Sequence, residues 1–220
     1  MALSPFALGT SCQHSHSDIC PQVVNGIAPT TRSHWMRRAN QALAEILDSP
    51  CPFAAFGAAI VNHTGDGLGD LICIGANDKA NTGNPTSHAE IAAMQNCTSI
   101  LTDPQGPYKL TASESLLAFS QLSLYTNAES CPMCASAIRW ANFEEYIYGT
   151  SIEWLIEQGW RQIRIPSMEV FRQSVDVGPA TTLIGEVLTN ETDPYFSWQY
   201  NPWYRCPPGC VRRHGLCKAR

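Results

Sequence analysis

Positive charge is scarce in this chain, and that scarcity limits the partners it can bind. The 220 residues contain 14 Lys or Arg against 19 Asp or Glu, which gives a formal net charge of −5 at pH 7. A long nucleic acid is held through its phosphates, and this needs clustered Lys and Arg side chains. The composition therefore argues against a nucleic-acid partner, and we interpret the short basic run Arg212–Arg220 as a solvated tail.

Long apolar runs and an intact signal peptide are missing as well. No segment approaches the roughly 18 consecutive apolar residues of a membrane-spanning helix, so we expect no membrane partner. Residues 1–10 lack both the charged region and the long apolar region of a secretory leader. Two locations stay open: the cytoplasm, and the outside of the cell after removal of a leader. The hydrophobic content of 44% is too high for a disordered chain and predicts a folded protein.

Two short motifs carry most of the chemical information. His88-Ala-Glu90 is followed, 41 residues after Glu90, by Cys131-Pro-Met-Cys134. One imidazole and two thiolates suit three corners of a tetrahedral zinc site and leave the fourth corner to water. A carboxylate two residues from the histidine can move protons to and from that water. We therefore predict that His88, Cys131 and Cys134 bind zinc and that Glu90 is the catalytic acid and base.

The reaction follows from the same two motifs. A histidine and a glutamate at this spacing, with a later Cys-x-x-Cys, are typical of zinc-dependent nucleobase deaminases. A redox pair or a structural zinc site would also use Cys-x-x-Cys, but neither needs the upstream carboxylate. We therefore predict hydrolytic release of ammonia from a small amino-heterocycle.

The other eight cysteines suggest a chain that is cross-linked by disulfides. Five of them lie in the Pro- and Gly-rich terminal segments, where disulfides could tie down irregular chain, and this favours a secreted location. Their pairing cannot be deduced from the sequence. Cys73 and Cys97 fall in a strand-like and a helix-like run, and we interpret them as buried free thiols. The eight are Cys12, Cys20, Cys51, Cys73, Cys97, Cys206, Cys210 and Cys217.

Hydrophobic periodicity predicts alternating helices and strands, which favours a mixed sheet covered on both faces by helices. We divide the chain into an irregular N-terminal extension at 1–31, a deaminase domain at 32–200 and a Cys-rich C-terminal tail at 201–220. Ser33 and Ser87 are placed as helix N-caps. The predicted elements are helix His34–Leu47, a hairpin of Phe56–Val61 with Leu71–Gly75, a helix from His88 to about Asn96, strand Leu122–Thr126, a helix through Cys131–Trp140, strand Glu145–Gly149 and helix Ser151–Gln158.

The motifs in their context closely resemble the cytidine deaminase superfamily. Residues 84–91 (Asn-Pro-Thr-Ser-His-Ala-Glu-Ile) and 129–141, around the two cysteines, are similar to the branch of bacterial-type guanine deaminases and tRNA adenosine deaminases. The resemblance covers about 33–200. It implies a three-layer α/β/α sandwich around a five-stranded mixed sheet, bound zinc, and a homodimer in which the C-terminal segment exchanges between subunits.

Within that branch the chain looks more like guanine deaminase. The segment 75–86 has a similar length and a similarly placed Asn77, which in the family contacts the base. Asp193–Trp198 is similar to the segment that closes the active site. From the resemblance and from the aromatic residues near the motifs we predict substrate contacts at Asn77, Phe56, Ala89, Trp140, Gln162, Tyr195 and Trp198. Turn formation is the alternative for Asn77, and core packing is the alternative for Phe56 and Trp140.

Three departures from the resemblance bear on function. Ser130 replaces the proline that usually precedes the first zinc cysteine, and we expect a change in loop stiffness rather than in ligation. Gln162 stands where guanine deaminases have an aspartate that meets the purine, so the identity of the ring stays open. The insert Ile100–Ser120 and the tail after Trp203 have no counterpart in the short bacterial enzymes, and we expect them to reshape the pocket entrance.

Two other functions remain as alternatives. One is adenosine deamination in tRNA, which the acidic net charge disfavours. The other is a secreted interaction protein that keeps the fold without catalysis, because a fold does not fix a function. The intact Glu90 argues against the second alternative.

Overall fold

A five-stranded mixed sheet forms the centre of the molecule, as the sequence predicts. The computed structural model describes residues 23–220, so Cys12, Cys20 and most of the predicted N-terminal extension lie outside the described residues. The strand order is β2-β1-β3-β4-β5, in which β1 runs antiparallel to both neighbours while β3, β4 and β5 are parallel. Its strands are β1 (Gly57–Asn62), β2 (Asp70–Ala76), β3 (Leu122–Ala128), β4 (Glu145–Thr150) and β5 (Thr182–Ile184).

Helices connect and cover these strands. They are α1 (Pro29–Leu47), α2 (Lys79–Thr82), α3 (Ala89–Thr102), α4 (Ala112–Ala118), α5 (Pro132–Ala141), α6 (Ile152–Glu157), α7 (Ser167–Gln173), α8 (Thr189–Thr192) and α9 (Pro194–Ser197). A separate hairpin of β6 (Cys210–Arg213) and β7 (Leu216–Ala219) ends the chain. Among the described residues, no helix is both long and apolar enough to cross a bilayer.

Alternation along β1 shows how both faces of the sheet are buried. Ala58 and Ile60 pack in one core with residues of α3 and α5, whereas Ala59 and Val61 pack in another with α1. Successive strand residues point to opposite faces, so a run of fully buried residues requires a helical layer on each side. The three-layer α/β/α architecture is therefore confirmed.

Gly75 allows helix α3 to pack at a short distance from strand β2 of the sheet. A Cβ at this position would overlap the backbone of α3 at Ala89 and Ala93. The absence of a side chain therefore lets the first turn of α3 rest directly on β2. This contact sets the position of the residues that begin the helix.

Two predicted helix starts are wrong. Helix α1 begins at Pro29, ahead of the predicted domain boundary, because proline suits the first helical position; Ser33 instead donates its hydroxyl to the Pro29 carbonyl at 3.0 Å. Helix α3 has His88 itself as N-cap, without a side-chain capping bond, so Ser87 does not cap it. The same helix continues past Asn96 to Thr102.

Six of the eight cysteines in the described residues lie in pairs. Their Cα separations are 6.4, 5.2 and 5.5 Å, within the range that a disulfide requires. Cys73 and Cys97 are buried, as predicted, and their sulfurs are adjacent, a placement that suits a disulfide better than two free thiols. The pairs are Cys51 with Cys210, Cys73 with Cys97, and Cys206 with Cys217.

Candidate active site and metal centre

Three predicted ligands converge where two helices begin. His88 is the N-cap residue of α3, Cys131 is the N-cap residue of α5, and Cys134 lies in the first turn of α5. Their ligand atoms lie within 4.8 Å of one another. Both helices start directly after the loops that follow β2 and β3, so the sheet brings the two motifs together.

The three atoms have the spacing of a tetrahedral zinc site. Zinc bonds of about 2.3 Å to sulfur and about 2.0–2.1 Å to nitrogen require a sulfur–sulfur edge of about 3.8 Å and sulfur–nitrogen edges of about 3.6 Å. The Sγ atoms of Cys131 and Cys134 are 3.8 Å apart, and each lies 3.6 Å from His88 Nδ1. The residues therefore fit zinc, with one corner left for a non-protein ligand.

The surroundings of Cys131 favour a thiolate, whereas the hydrogen bond to Cys131 raises the pKa of Cys134. A hydrogen bond from Cys134, followed by the interaction with His88, lowers the pKa of Cys131 to about 4. The hydrogen bond to Cys131 in turn raises the pKa of His88. The partial positive charge of the α5 N-terminus acts in the same direction on the sulfurs. A thiolate is the form that binds a metal.

Glu90 is the buried carboxylate of the site. It is the second residue of α3, its exposed fraction is 6%, and it lines the pocket together with His88. Burial raises the pKa of this carboxyl. A raised pKa suits a group that must accept a proton and return it near neutral pH.

The pocket over these residues is small. Its volume is about 160 Å³, below the roughly 300–1,000 Å³ of pockets for drug-sized ligands, so it suits a single heterocycle. It is lined by Ala54, Phe56, Asn77, Lys79, His88, Glu90, Glu129, Cys131, Trp160, Arg161 and Gln162.

Asn77 offers an unused acceptor inside this pocket. Its backbone N–H donates to the Phe56 carbonyl at 3.0 Å, which holds the residue in place after β2. Its side-chain Oδ1 is buried and has no hydrogen-bond partner among residues 23–220. Because an unsatisfied buried acceptor costs about 1–3 kcal/mol, a donor group on the substrate would be favourable there.

Another part of the pocket lining is aromatic and polar. The rings of Phe56 and Trp160 meet edge to face with centroids 5.4 Å apart. Trp160 Nε1 donates to the Phe196 carbonyl at 2.8 Å, and Arg161 and Gln162 follow it along the pocket. These two rings form an apolar surface on which a flat heterocycle can pack.

Glu129 supports that side of the pocket. Its carboxylate accepts hydrogen bonds from the backbone N–H of Ile152 at 2.9 Å and from both the N–H and the hydroxyl of Ser167 at 2.7 Å. These donors stand at the two ends of the segment that carries Trp160 to Gln162. The Glu129 carboxylate therefore holds together the two ends of the segment from Ile152 to Ser167.

The predicted substrate contacts divide into two groups. Phe56, Asn77 and Gln162 line the pocket with the metal ligands. Ala89 is buried, with an exposed fraction of 1%, and lies outside the lining. Trp140 is 72% exposed and also lies outside the lining, which corrects its predicted position. Nine residues of helix separate it from Cys131, and at about 1.5 Å per residue this carries it far along α5.

Tyr195 and Trp198 lie behind the pocket, outside its lining. Tyr195 packs in a core with Leu43 and Phe196, whereas Trp198 packs against the cysteines of the tail. Trp198 meets Phe53 edge to face with ring centroids 5.9 Å apart, and the Phe53 centroid lies 5.8 Å from that of Trp160, which lines the pocket. In this single chain the segment therefore packs on its own subunit.

Five lining residues were not predicted from the sequence, and two segments expected at the pocket entrance lie outside the lining. The insert Ile100–Ser120 and the tail beyond Trp203 contribute no lining residue, contrary to expectation. Lys79, Trp160 and Arg161 lie within two residues of Asn77 or Gln162 in the sequence, and this proximity was the signal that could have identified them. The five are Ala54, Lys79, Glu129, Trp160 and Arg161.

A family model described as the cytidine and deoxycytidylate deaminase zinc-binding region matches residues 29–150. A guanine deaminase of Bacillus subtilis is 34% identical over 93 residues, which are 42% of this chain and 48% of that protein. A probable cytosine deaminase of Schizosaccharomyces pombe is 29% identical over 102 residues, 46% of this chain and 51% of that protein. The chain thus matches about half the length of each relative.

Solved structures agree with the fold. A guanine deaminase from Nitrosomonas europaea superposes with a TM-score of 0.54 at 17% identity, over 80% of this chain and 85% of that chain. A crystal structure in complex with 2,6-diaminopurine gives a TM-score of 0.56 at 19% identity, over 83% of this chain and 85% of that chain.

Proposed function

This chain belongs to the family of zinc-binding cytidine and deoxycytidylate deaminases, and we propose that it is a zinc-dependent hydrolytic deaminase of a small purine-like nucleobase or related amino-heterocycle. One observation carries the proposal: a buried carboxylate, Glu90, shares a small pocket with His88 and Cys131. An open metal corner and a proton carrier then face the same space. The names of the relatives, guanine deaminase and probable cytosine deaminase, support the same substrate class.

Six residues of the site have roles in this proposed reaction. His88, Cys131 and Cys134 would hold zinc, which when bound lowers the pKa of a water ligand to about 7. Glu90 accepts a proton from the water and delivers it to a ring nitrogen; it then takes the proton of the hydroxyl group that has added to the ring and passes it to the amine, which leaves as ammonia. Asn77 Oδ1 accepts a hydrogen bond from the ring, while Phe56 packs on its face.

The substitution Glu90→Gln tests the proposed role of the carboxylate. We expect zinc to stay bound, because the ligands are untouched, and ammonia release to fall about 10²–10⁴-fold. The substrate screen should cover guanine, 2,6-diaminopurine, cytosine, adenine, their nucleosides and pterins. Glu114→Gln, at an exposed carboxylate on α4, is the matched control. Normal turnover by Glu90→Gln would contradict the mechanism.

Because Gln162 lines the pocket, we propose that the preferred substrate is a ring other than guanine. Its neutral amide lines the pocket where an acidic side chain would suit the N–H groups of guanine. An amide offers both a donor and an acceptor, so it can serve rings with either pattern at that edge. The same ammonia-release screen ranks guanine against the other rings.

We also propose that the three cysteine pairs are disulfides and that the protein is secreted. The pairing of six cysteines supports both proposals, since such bonds persist in oxidising compartments. Thiol titration of the denatured, unreduced protein should then find Cys131 and Cys134 reactive and the six paired cysteines unreactive. The homodimer implied by the resemblance stays a prediction, which sedimentation analysis can test.

A further inference from the structure

Three segments of the chain match the acceptor pattern for an N-linked glycan. The pattern is an asparagine, any residue except proline, and then a serine or threonine. A glycan is bulky and projects into solvent, so the fold decides which match can carry one. Asn84 is excluded already by the sequence, because Pro85 follows it. The matching segments are 62–64 (Asn-His-Thr), 96–98 (Asn-Cys-Thr) and 190–192 (Asn-Glu-Thr).

Asn96 lies where a glycan has little room. It belongs to helix α3, is half-buried, and donates from Nδ2 to the Ile74 carbonyl of β2 at 2.9 Å. The nitrogen that would carry the sugar is therefore held against the sheet. The next residue, Cys97, is fully buried with its sulfur beside that of Cys73. A sugar on Asn96 would separate α3 from β2.

Asn190 is exposed, but the threonine of its acceptor segment is not. Thr192 is fully buried, and its Oγ1 accepts a hydrogen bond from the hydroxyl of Thr150 on β4 at 3.0 Å. The hydroxyl two residues after the asparagine is a required part of the acceptor. Once α8 has folded onto β4, an enzyme cannot reach that hydroxyl.

Asn62 has the features that the other two asparagines lack. It is half-buried at the end of β1 and opens the turn to β2, in which residues 64–68 are exposed. Its Oδ1 accepts hydrogen bonds from the backbone N–H of Thr64 at 2.9 Å and from the Thr64 hydroxyl at 2.8 Å. Its Nδ2 makes no hydrogen bond within residues 23–220. The nitrogen that receives a sugar is therefore free, and the required hydroxyl lies beside it on an exposed turn.

The cysteine pairs indicate the compartment in which this modification takes place. Three pairs have Cα separations that suit disulfides, and such bonds form in the oxidising secretory compartment. Glycan transfer to asparagine acts on chains that enter the same compartment. The acceptor turn and the cysteine pairs are separate features of the chain that point to one export route.

We propose that Asn62 carries an N-linked glycan and that Asn96 and Asn190 do not. This inference rests on the proposed secretion and is independent of the deaminase chemistry. The co-reactant is an oligosaccharide joined to a lipid through a diphosphate, and the enzyme is the oligosaccharyltransferase of the export route. Asn62 Nδ2 bonds to C1 of the first sugar while the bond from C1 to the diphosphate oxygen breaks. The nitrogen loses one proton, and the lipid diphosphate leaves.

A glycan at this position leaves the pocket open. Phe56, which lines the pocket, precedes β1, whereas Asn62 ends that strand. Six residues of strand at about 3.3 Å each place the two about 20 Å apart. We therefore expect the same ammonia release before and after the glycan is removed.

The full chain, exported from eukaryotic cells behind a cleavable leader, tests the inference. Treatment with peptide-N-glycosidase F should remove the mass of one oligosaccharide, as measured by intact mass spectrometry. The treatment converts the acceptor asparagine to aspartate, and peptide mapping should find this change at position 62. Without the treatment, the glycan itself should map to the same position.

Matched variants locate the acceptor. Asn62→Gln and Thr64→Ala should each abolish the mass loss, whereas Thr64→Ser keeps the hydroxyl and should retain it. Asn190→Gln, at an exposed position, is the control and should also retain it. A cooperative urea transition for each variant shows that it has folded.

The outcomes separate this inference from the earlier proposals. Exported protein with six unreactive cysteines and no glycan on Asn62 would overturn the inference and leave the deaminase and disulfide proposals intact. A glycan on Asn96 or Asn190 would also overturn it, because the contacts described for those residues would then not select the site. Six reactive cysteines in the exported protein would overturn the proposed disulfides and remove the argument for secretion on which this inference rests.

Discussion

The two sides of the pocket are built in different ways. The inner wall comes from two helix starts, and each start presents its chemical groups from within a single short motif. The outer wall comes from separate loops that meet only in the folded chain and are held by distant contacts. We define the inner wall as His88, Glu90, Cys131 and Cys134, and the outer wall as Phe56, Asn77, Lys79, Trp160, Arg161 and Gln162.

This difference separates the reaction from the choice of substrate. In the proposed reaction the metal, the nucleophile and the proton carrier depend on the inner wall, whose spacing is set by helical geometry. In the proposed complex the substrate ring meets the outer wall, whose position depends on Glu129 and on the packing behind Phe53. Changes in the supports of the outer wall can therefore alter specificity while the chemistry stays intact.

Loss of a zinc ligand should give the largest effect. Cys134→Ala removes one of three protein ligands, so we expect zinc content to fall and ammonia release to drop at least about a thousandfold. Atomic emission and an ammonia assay measure the two quantities. Ser136→Ala, at an exposed position on the same helix, is the control. Full zinc occupancy in Cys134→Ala would show that the inner wall does not hold the metal as described.

Removal of the proposed Cys51–Cys210 disulfide should destabilise the support behind the outer wall. Trp198 packs on these cysteines, and the link spans 159 residues. A disulfide closing so long a loop is worth roughly 4–5 kcal/mol of unfolding free energy in the chain-entropy model. We expect the double substitution to alanine to lower stability by about that amount in urea while zinc stays bound.

The Cys206–Cys217 pair is the matched comparison for this prediction. Its loop spans 11 residues, so its removal should cost about 2 kcal/mol less. Equal losses for the two pairs would show that loop closure does not explain the stabilisation.

The same difference explains what the sequence could predict. Every residue of the inner wall was identified, because each motif carries its own geometry within a few residues. Of the outer wall, Phe56, Asn77 and Gln162 were identified. Trp140 was predicted because it is near Cys131 in the sequence, but helix α5 places it away from the pocket, where it is exposed. Trp160, which follows α6, lines the pocket through a contact with Phe56, a residue distant in sequence that no local pattern indicates.

Hydrophobic periodicity was sufficient to predict the long helices and strands of the fold. It did not predict the shortest elements. The hairpin of β1 and β2 and the strands β3 and β4 were predicted, because buried runs and turns bound them clearly. Strand β5 has three residues and the tail hairpin has four-residue strands, which is too short for a period to be visible. Their pairing is decided by neighbours distant in sequence.

Disruption of the hydrogen bonds that Glu129 accepts should have an effect of intermediate size on stability and on KM. Glu129→Gln replaces one acceptor oxygen by a donor amide, which leaves an N–H of Ile152 or Ser167 unsatisfied in a buried place. We expect a loss of about 1–3 kcal/mol in unfolding free energy and a higher KM, with zinc content unchanged. Glu157→Gln, at the exposed end of α6, is the control. An unchanged KM would show that the outer wall does not depend on this carboxylate.

The smallest predicted effect tests whether the inner wall is purely local. The backbone N–H of buried Ser130 donates to the Tyr146 hydroxyl at 2.6 Å, a bond that a proline at this position could not make. Ser130→Pro should therefore cost about 1 kcal/mol, partly offset by a stiffer unfolded chain. In a Tyr146→Phe background that cost should disappear, and a double-mutant cycle in urea measures the coupling. Additive losses would mean that the loop before Cys131 holds its shape without β4, whereas coupling of about 1 kcal/mol would show that the inner wall also depends on a contact distant in sequence.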